Sequence, residues 1–424
     1  MVRLTSASSL AISSLVPKHT IPDELLLLIF EEASRSEEHK SRCSIETDVF
    51  LLATLSQVSR RWHRVAMTPS LWSIIRIRPN DTITPSICLA RSHNSLLDIA
   101  VEYGYTSVPH PPRVEGQKAS SLIAPLLPHI GRWRSLRVSA RRTPLRHVID
   151  DLKDAHAGRL EVLEFAQCET EFATVDIGPP LKVFSPNGLP SLRSIRLYGA
   201  LPMEPASIGI PTTRSLHLVR ALDHPLEWDR FYEQLTTASR VENLTISTGR
   251  ACLSRDKPYP MIELPVVRSL QIDFLSFSHQ STIFEVLNLP DLERLRLSWI
   301  TDWDVFLDSL CFSAFAVEAR FHRVTRLTIR MIQGMPTFVD FRLFGSFPNL
   351  EVLYLDDIDD VEPFFAAIEG MWVNEATGES LVAWPMMREI HWVSGARNET
   401  DTDQIKALEK SRRISGHPLS IFRE

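Results

Sequence analysis

The sequence predicts an α/β protein in two parts: a short helical module, then a long irregular solenoid of parallel strand rungs with helical connections. Three observations predict it. The phrase apolar-x-x-apolar-x-apolar recurs along most of the chain; proline and helical text separate its copies; and residues 21–77 follow a different, helical grammar. "LPDLERLRLSWI" (289–300) and "FPNLEVLYLDDI" (347–358) state the repeated phrase most clearly.

Clear copies are "WRSLRV" (133–138), "LEVLEF" (160–165), "LRSIRL" (192–197), "VRSLQI" (267–272), "LERLRL" (292–297) and "LEVLYL" (350–355). Weaker ones are "TRSLHL" (213–218), "VENLTI" (241–246), "VTRLTI" (324–329) and "MREIHW" (387–392). Their middle apolar residues are Leu136, Leu163, Ile195, Leu216, Leu244, Leu270, Leu295, Leu327, Leu353 and Ile390, at intervals averaging about 28 residues. That spacing resembles leucine-rich repeats, although two intervals are longer and the Asn or Cys that regular repeats place after the strand is missing. The L-x-L alternation makes a short strand with one buried face. Pro190, Pro265, Pro290, Pro348 and Pro385 stand just ahead of the first apolar anchor, where they stop strand pairing from starting early. Helical spacing fills several intervals, as in 223–239 and 298–314. One strand–helix unit cannot close its own core, but a stack of them can. Residues 84–102 and 402–424 repeat the helix-then-strand grammar and serve as end units, so the solenoid is assigned to 79–424 with a capping helix and strand at its C-terminal end.

The helical module is assigned to residues 20–78, after a flexible stretch over 1–19. Pro22 suits the first helical position, with Asp23 and Glu24 favourable at the positive end of the helix dipole. Leu25, Leu28 and Ile29 follow at helical spacing, and a polar insertion from Ser34 to Ser44 breaks the pattern. A second helical stretch, capped by Thr47 or Asp48, carries the stripe Leu51, Leu52, Leu55, Val58, Trp62, Val65 and Ala66. Thr68-Pro69 ends it, and Leu71-Trp72 turns the chain toward a strand. Three short helices in fewer than 60 residues expose too much apolar surface for their volume, so the module must bury apolar surface on something else, either a partner or, as an N-terminal cap, the chain's own repeats.

This stretch resembles an F-box. The match is Ile21-Pro22-x-Glu24-Leu25-Leu26-x-x-Ile29-Phe30, then Leu55-x-x-Val58-x-x-x-Trp62, then Pro69-x-Leu71-Trp72. The insertion between the halves departs from the pattern in the manner of the large fungal F-box family. That family also follows its F-box with the text seen here from Arg91-Ser92 to Ile99, and with degenerate leucine-rich-like rungs. The resemblance implies a Skp-type adaptor and a cullin scaffold as partners. It makes Ile21, Pro22, Leu25, Leu28, Ile29, Leu55, Val58 and Trp62 candidate adaptor contacts, some of which must serve the module's own core.

Composition narrows the remaining classes. The chain has 424 residues, 44% hydrophobic and 23% charged, which suits a large core. A net charge of −6 gives no bulk attraction to nucleic acid or anionic membrane. Only 15 glycines against 28 prolines disfavours the Gly-rich loops of nucleotide enzymes. Five scattered cysteines without a C-x-x-C pair disfavour zinc and imply a reducing, cytoplasmic or nuclear compartment. No metalloprotease, nucleophile-elbow, dinucleotide or Walker motif occurs, so neither catalysis nor a cofactor or metal is expected. His217 reads as a surface or core residue of a rung, 356–362 as a solvated acidic loop, and 131–147 as a basic stretch whose Trp133 is a buried anchor.

The expected function is that of a non-catalytic substrate receptor in a cullin-type ubiquitin ligase, with a ligase-independent interaction scaffold as the alternative. Residues between and beside the L-x-L anchors face away from the core. They form a central column Arg137, Glu164, Arg196, His217, Thr245, Gln271, Arg296, Thr328, Tyr354 and His391. Arg294, Arg296, Arg326 and Arg330, with Tyr354 one rung on, are the candidate site for an acidic or phosphorylated target segment. The competing reading is a solvated face whose charges Asp356 and nearby acids balance.

Overall fold

In the computed structural model, all ten copies of the apolar phrase are neighbouring strands of one sheet. The structure describes residues 21–40, 48–79, 83–103, 112–168, 180–185, 187–199, 203–219, 227–247, 260–275, 283–284, 286–300, 321–332, 341–358, 361–373, 380–393 and 400–423. The flexible stretch over 1–19, the cap at Thr47 and most of the helical text in 298–314 fall outside these residues. The chain divides into two compact units, one of Met1–Ile74 with Ile87–Ser95, the other of Ile75–Ser86 with Leu96–Glu424.

The larger unit is built on a thirteen-stranded sheet. Its strands are β1 (Ile74–Ile77), β2 (Leu97–Tyr103), β3 (Trp133–Ala140), β4 (Val162–Gln167), β5 (Ser194–Tyr198), β6 (Ser215–Val219), β7 (Asn243–Ser247), β9 (Ser269–Leu275), β11 (Arg294–Ile300), β12 (Arg326–Ile332), β13 (Val352–Asp356), β16 (Glu389–Val393) and β17 (Ser420–Arg423). They lie side by side in chain order. From β2 to β17 every neighbouring pair is parallel. The small pairs β8 (Ile262–Glu263) with β10 (Leu287–Asn288), and β14 (Met371–Val373) with β15 (Ser380–Val382), lie outside this sheet. The end segments fold as read: a helix over Ile83–Arg91 precedes β2, and one over Thr400–Ile414 precedes β17.

Register follows the repeated phrase without a slip. Leu136, Leu163, Ile195, Leu216, Leu244, Leu270, Leu295, Leu327, Leu353 and Ile390 are paired strand to strand in that order. All ten are buried. Shifting any strand by one residue would send its anchors to the opposite face, which holds the pairing in place.

The prolines prove to be turn residues. Leu289 accepts a backbone bond from Leu292, and the same i to i+3 bond joins Leu189 to Leu192, Leu264 to Val267, Phe347 to Leu350 and Trp384 to Met387, at 3.0–3.3 Å. Proline occupies the second position of each turn, where its fixed φ suits a type I or II geometry. Both ends of each turn are buried, so the L-P-x-L text seats two core side chains and aims the strand at once. Beyond the turn, one carbonyl accepts two successive N–H groups from the next strand. Glu161 takes those of Arg193 and Ser194 at 2.9 and 3.0 Å, and Glu351 takes those of Arg388 and Glu389 at 2.8 and 3.2 Å. At the far end of three adjacent strands, Trp299, Met331 and Asp357 hold positive φ of 60°, 53° and 55°. Trp299 and Met331 are the residues passed over between Ser298↔Arg330 and Ile300↔Ile332, one on each strand, so the register is the same on either side of them.

The smaller unit contains α1 (Asp23–Lys40), α2 (Asp48–Ser56), α3 (Arg60–Ala66) and the short 3-10 turn Pro69–Trp72. Two expectations are corrected here. Polar text from Ser34 onward does not end the first helix, which runs to Lys40: the segment has neither Gly nor Pro, and Glu, Lys and Arg are good helix formers. The apolar stripe from Leu51 to Ala66 spans two helices, because Ser59 caps α3 by accepting the Trp62 N–H at 3.1 Å. Pro22 sits one residue before α1, its carbonyl accepting the Leu26 N–H at 3.0 Å. Among the described residues no helix is long and apolar enough to cross a membrane.

Candidate protein-interaction surfaces

Helix α1 has two apolar faces. Leu26 and Phe30 are buried, with Ser34 below them on the same side. They join Leu52, Val65, Ala66, Leu71 and Trp72 among the unit's buried residues. On the opposite side Ile21, Leu25, Leu28 and Ile29 recur at helical spacing, and these, with Val58, stand 49–58% exposed. Solvated Leu and Ile along one whole stripe form an exposed apolar patch of the kind that marks an interaction surface.

The candidate contacts therefore separate. Ile21, Pro22, Leu25, Leu28, Ile29 and Val58 are exposed, whereas Leu55 and Trp62 are half-buried. Trp62 leans into the unit, its ring edge-on to Phe30 at 5.2 Å between centroids. The start of α1 is fastened to α3 by polar contacts that the apolar periodicity did not reveal. Arg61 meets Asp23 at 2.6 Å and donates to the Ile21 carbonyl, and Arg64 meets Asp23 at 2.9 Å. These hydrogen bonds hold the Asp23 carboxyl below its usual range. They tie Ile21 to a helix that begins two residues after Val58.

Trp72 closes the core of this unit. Its Nε1 donates to the Ala66 carbonyl at 2.8 Å, and the Arg91 guanidinium lies 4.2 Å above its ring. Ser92 is buried, its N–H bonded to the Cys88 carbonyl at 2.8 Å. Residues 19–78 match the F-box-like family. No curated protein matches the chain. The exposed stripe and the Trp72 core both belong to this F-box-like domain.

The second surface is the sheet face opposite the anchors. Arg137, Glu164, Arg196, His217, Thr245, Gln271, Arg296, Thr328, Tyr354 and His391 form one continuous column across ten strands, and Phe422 extends it. Much of its charge is compensated across strands. Glu164 sits between Arg137 and Arg196 at 3.8 and 3.6 Å. Arg330, in a flanking column, meets Asp356 at 3.1 Å. Arg294 and Arg326 are paired partners in register, both exposed, and Arg296 lies two residues along from Arg294. None of these three has an ion-pair partner among the described residues. Four guanidiniums were expected to act together; the structure places three in one group and engages Arg330 with an acid.

At the C-terminal end of the column the rings of Tyr354, His391 and Phe422 stack on successive strands, with centroids 4.5 and 4.9 Å apart and planes 19° and 23° from parallel. Of this stack the sequence column contains Tyr354 and His391, whereas Phe422 lies on a strand outside the ten repeated phrases. Burial, followed by the Arg196 charge, holds His217 below its ordinary value. Among the described residues no cluster of three or more His, Cys, Asp or Glu is placed to hold a metal.

Proposed function

We propose that this chain is the substrate receptor of a cullin-type ubiquitin ligase. The F-box-like domain, within 20–78, takes a Skp-type adaptor; residues 79–424, an irregular leucine-rich-repeat-like solenoid, take the target. Ubiquitin transfer would proceed on other subunits, so the chain needs neither nucleophile nor cofactor. Its contribution is proximity, which turns an encounter between target and charged carrier into an effectively intramolecular event.

One observation carries the reading: the exposed stripe Ile21, Leu25, Leu28 and Ile29 inside the segment that matches the F-box-like family. Core demands cannot account for these side chains, since Leu26 and Phe30 already fill the inward face of the same helix. Burying an exposed leucine is worth about 1.5–3 kcal/mol, so several together supply a useful share of an affinity.

The test is co-purification of the tagged full chain from cells with a Skp-type adaptor and a cullin. Wild type should bring down both, and the double change Leu25→Asp, Leu28→Asp should bring down neither while leaving the melting temperature unchanged. Adaptor without cullin would replace the ligase by a ligase-independent scaffold. Undiminished adaptor capture by the double variant would remove the stripe from the interface.

A further inference from the structure

We propose that Ser415 is a phosphorylation site for an arginine-directed protein kinase, and that its phosphate unlatches the C-terminal cap of the sheet. The cap is the helix Thr400–Ile414 with the edge strand β17. The proposal is independent of the ligase reading above.

The sequence supplies the acceptor. Ser415 follows two arginines in "SRRISG" (411–416). Kinases that read basic residues place acidic side chains for arginines two and three positions before the hydroxyl. The chain has three Arg-Arg pairs, and in the other two the matching position holds His63 or Pro144. Ser415 and Arg413 are both exposed. In the transfer the Oγ–P bond forms as the bond from the γ-phosphorus of ATP to its bridging oxygen breaks. ADP leaves, and the hydroxyl proton passes to the kinase's base.

Ser415 stands between the two residues that fasten the cap to the rung before it. On one side Arg412, 2% exposed, donates from Nη1 and Nη2 to the Ala383 and Trp384 carbonyls, both at 2.9 Å. On the other, His417 Nδ1 lies 3.0 Å from the Pro385 carbonyl. Three successive carbonyls of the turn ahead of β16 are thus held from either side of Ser415. The backbone between is a tight helix cap. Gly416, at φ 82°, donates to the Arg413 carbonyl, while the His417 N–H and Ser415 Oγ both donate to the Arg412 carbonyl at 2.9 and 3.0 Å.

A phosphate does not share this arrangement. It removes the Oγ–H donor and sets up to about two negative charges at the negative end of the helix, beside the carbonyls of its last turn. Arg413 is exposed, reaches the phosphate in either state and favours neither. Arg412 is the residue that decides. Latched, its guanidinium faces carbonyls, and its buried Nε has no hydrogen-bond partner among the described residues. Burial alone holds it below its ordinary value, with no acid to offset the loss of water. Released, it meets the phosphate in solvent, a contact that exists only in the open state and shifts the population toward it. The same burial withholds Arg412 from a kinase until the cap opens. The kinase captures the open state, and the phosphate keeps it there.

The experiment treats the folded full chain with cyclic-AMP-dependent protein kinase and ATP, then reads the modified residue by mass spectrometry and the cap by hydrogen exchange. Ser415 should take the phosphate, Ser415→Ala should take none there, and Arg413→Gln should slow the transfer tenfold or more. After phosphorylation the Ser420, Ile421 and Phe422 amides should exchange at least tenfold faster, with the Leu244 amide in mid-sheet and adaptor capture unchanged. Arg412→Gln should speed the same three amides without any phosphate. No phosphate on Ser415, or phosphate only on the urea-unfolded chain, overturns the proposal. So does a phosphorylated chain whose β17 amides exchange at the original rate. Adaptor capture is scored on the same samples, so loss of the ligase reading and loss of this one are told apart.

Discussion

Trp62 meets Phe30 edge-on at 5.2 Å, while Leu28 and Ile29 on the same helix as Phe30 point into solvent. Residues one or two apart on α1 therefore have opposite duties. Trp62→Ala should lower the stability of the F-box-like domain by about 2–4 kcal/mol, toward the lower end of aromatic truncations because the ring is only half-buried. Leu28→Asp should change stability by less than about 0.5 kcal/mol. Urea unfolding of the two variants followed by tryptophan fluorescence checks the contrast; equal destabilisation would mean that Leu28 belongs to the core.

Asp23 gives a second outcome, set by pH. Its carboxyl is depressed by the hydrogen bonds from Arg61 and then Arg64. A depressed carboxylate adds stability above its unfolded value, near 4, and loses that contribution as pH falls through the folded value. Hydrogen exchange at the Leu26 amide should accelerate as pH drops below about 4, relative to the intrinsic rate. Asp23→Asn should exchange faster already at neutral pH and show less acid sensitivity. An Asp23 carboxyl that titrates at its ordinary value would dismiss the contact as too loose to matter.

The sheet was legible because its signal is repeated. Ten L-x-L phrases need the same face buried, and stacking leaves one register that satisfies all of them. The role of the prolines was half legible: position was plain, but a turn appears only when the carbonyl three residues back is seen, as with Leu289 and Leu292. The break between α2 and α3 was hidden because Leu55, Val58, Trp62 and Val65 keep helical spacing straight through it, and Ser59 was the one cue. The division of the F-box candidates was not legible at all. Leu25 and Leu26 are chemically identical, and only the packed helices decide that one is half exposed and the other buried. The short pairs β8 with β10 and β14 with β15 carry too few residues for any periodicity to show.

The register yields a packing prediction. Leu244 is buried in the middle of the anchor column, flanked in register by Leu216 and Leu270, whereas its chain neighbour Thr245 faces outward. Leu244→Ala should cost about 2–5 kcal/mol through lost transfer energy and the cavity left behind. Thr245→Ala should stay within about 1 kcal/mol. Thermal melts of both variants decide it, and similar costs would place the register one residue out.

His217 supplies the last prediction. It stands in the outward column between Arg196 and Thr245, half-buried, with Nε2 3.1 Å from Ser215 Oγ. Burial and the Arg196 charge disfavour the imidazolium, and hold its folded value below the ordinary 6.5. The sign follows from proton counting. Below about 6.5 the unfolded chain takes up a proton that the folded one refuses, so stability rises with pH through that window and is complete above it. Urea midpoints should therefore fall between pH 7.5 and pH 5.5. His217→Gln keeps a polar side chain without the titration, and its midpoint should fall less over the same range. Thirteen other histidines add their own slopes, which cancel in the difference between the two proteins. Parallel curves for wild type and variant would mean that His217 titrates as it does in the unfolded chain, and that Arg196 does not reach it.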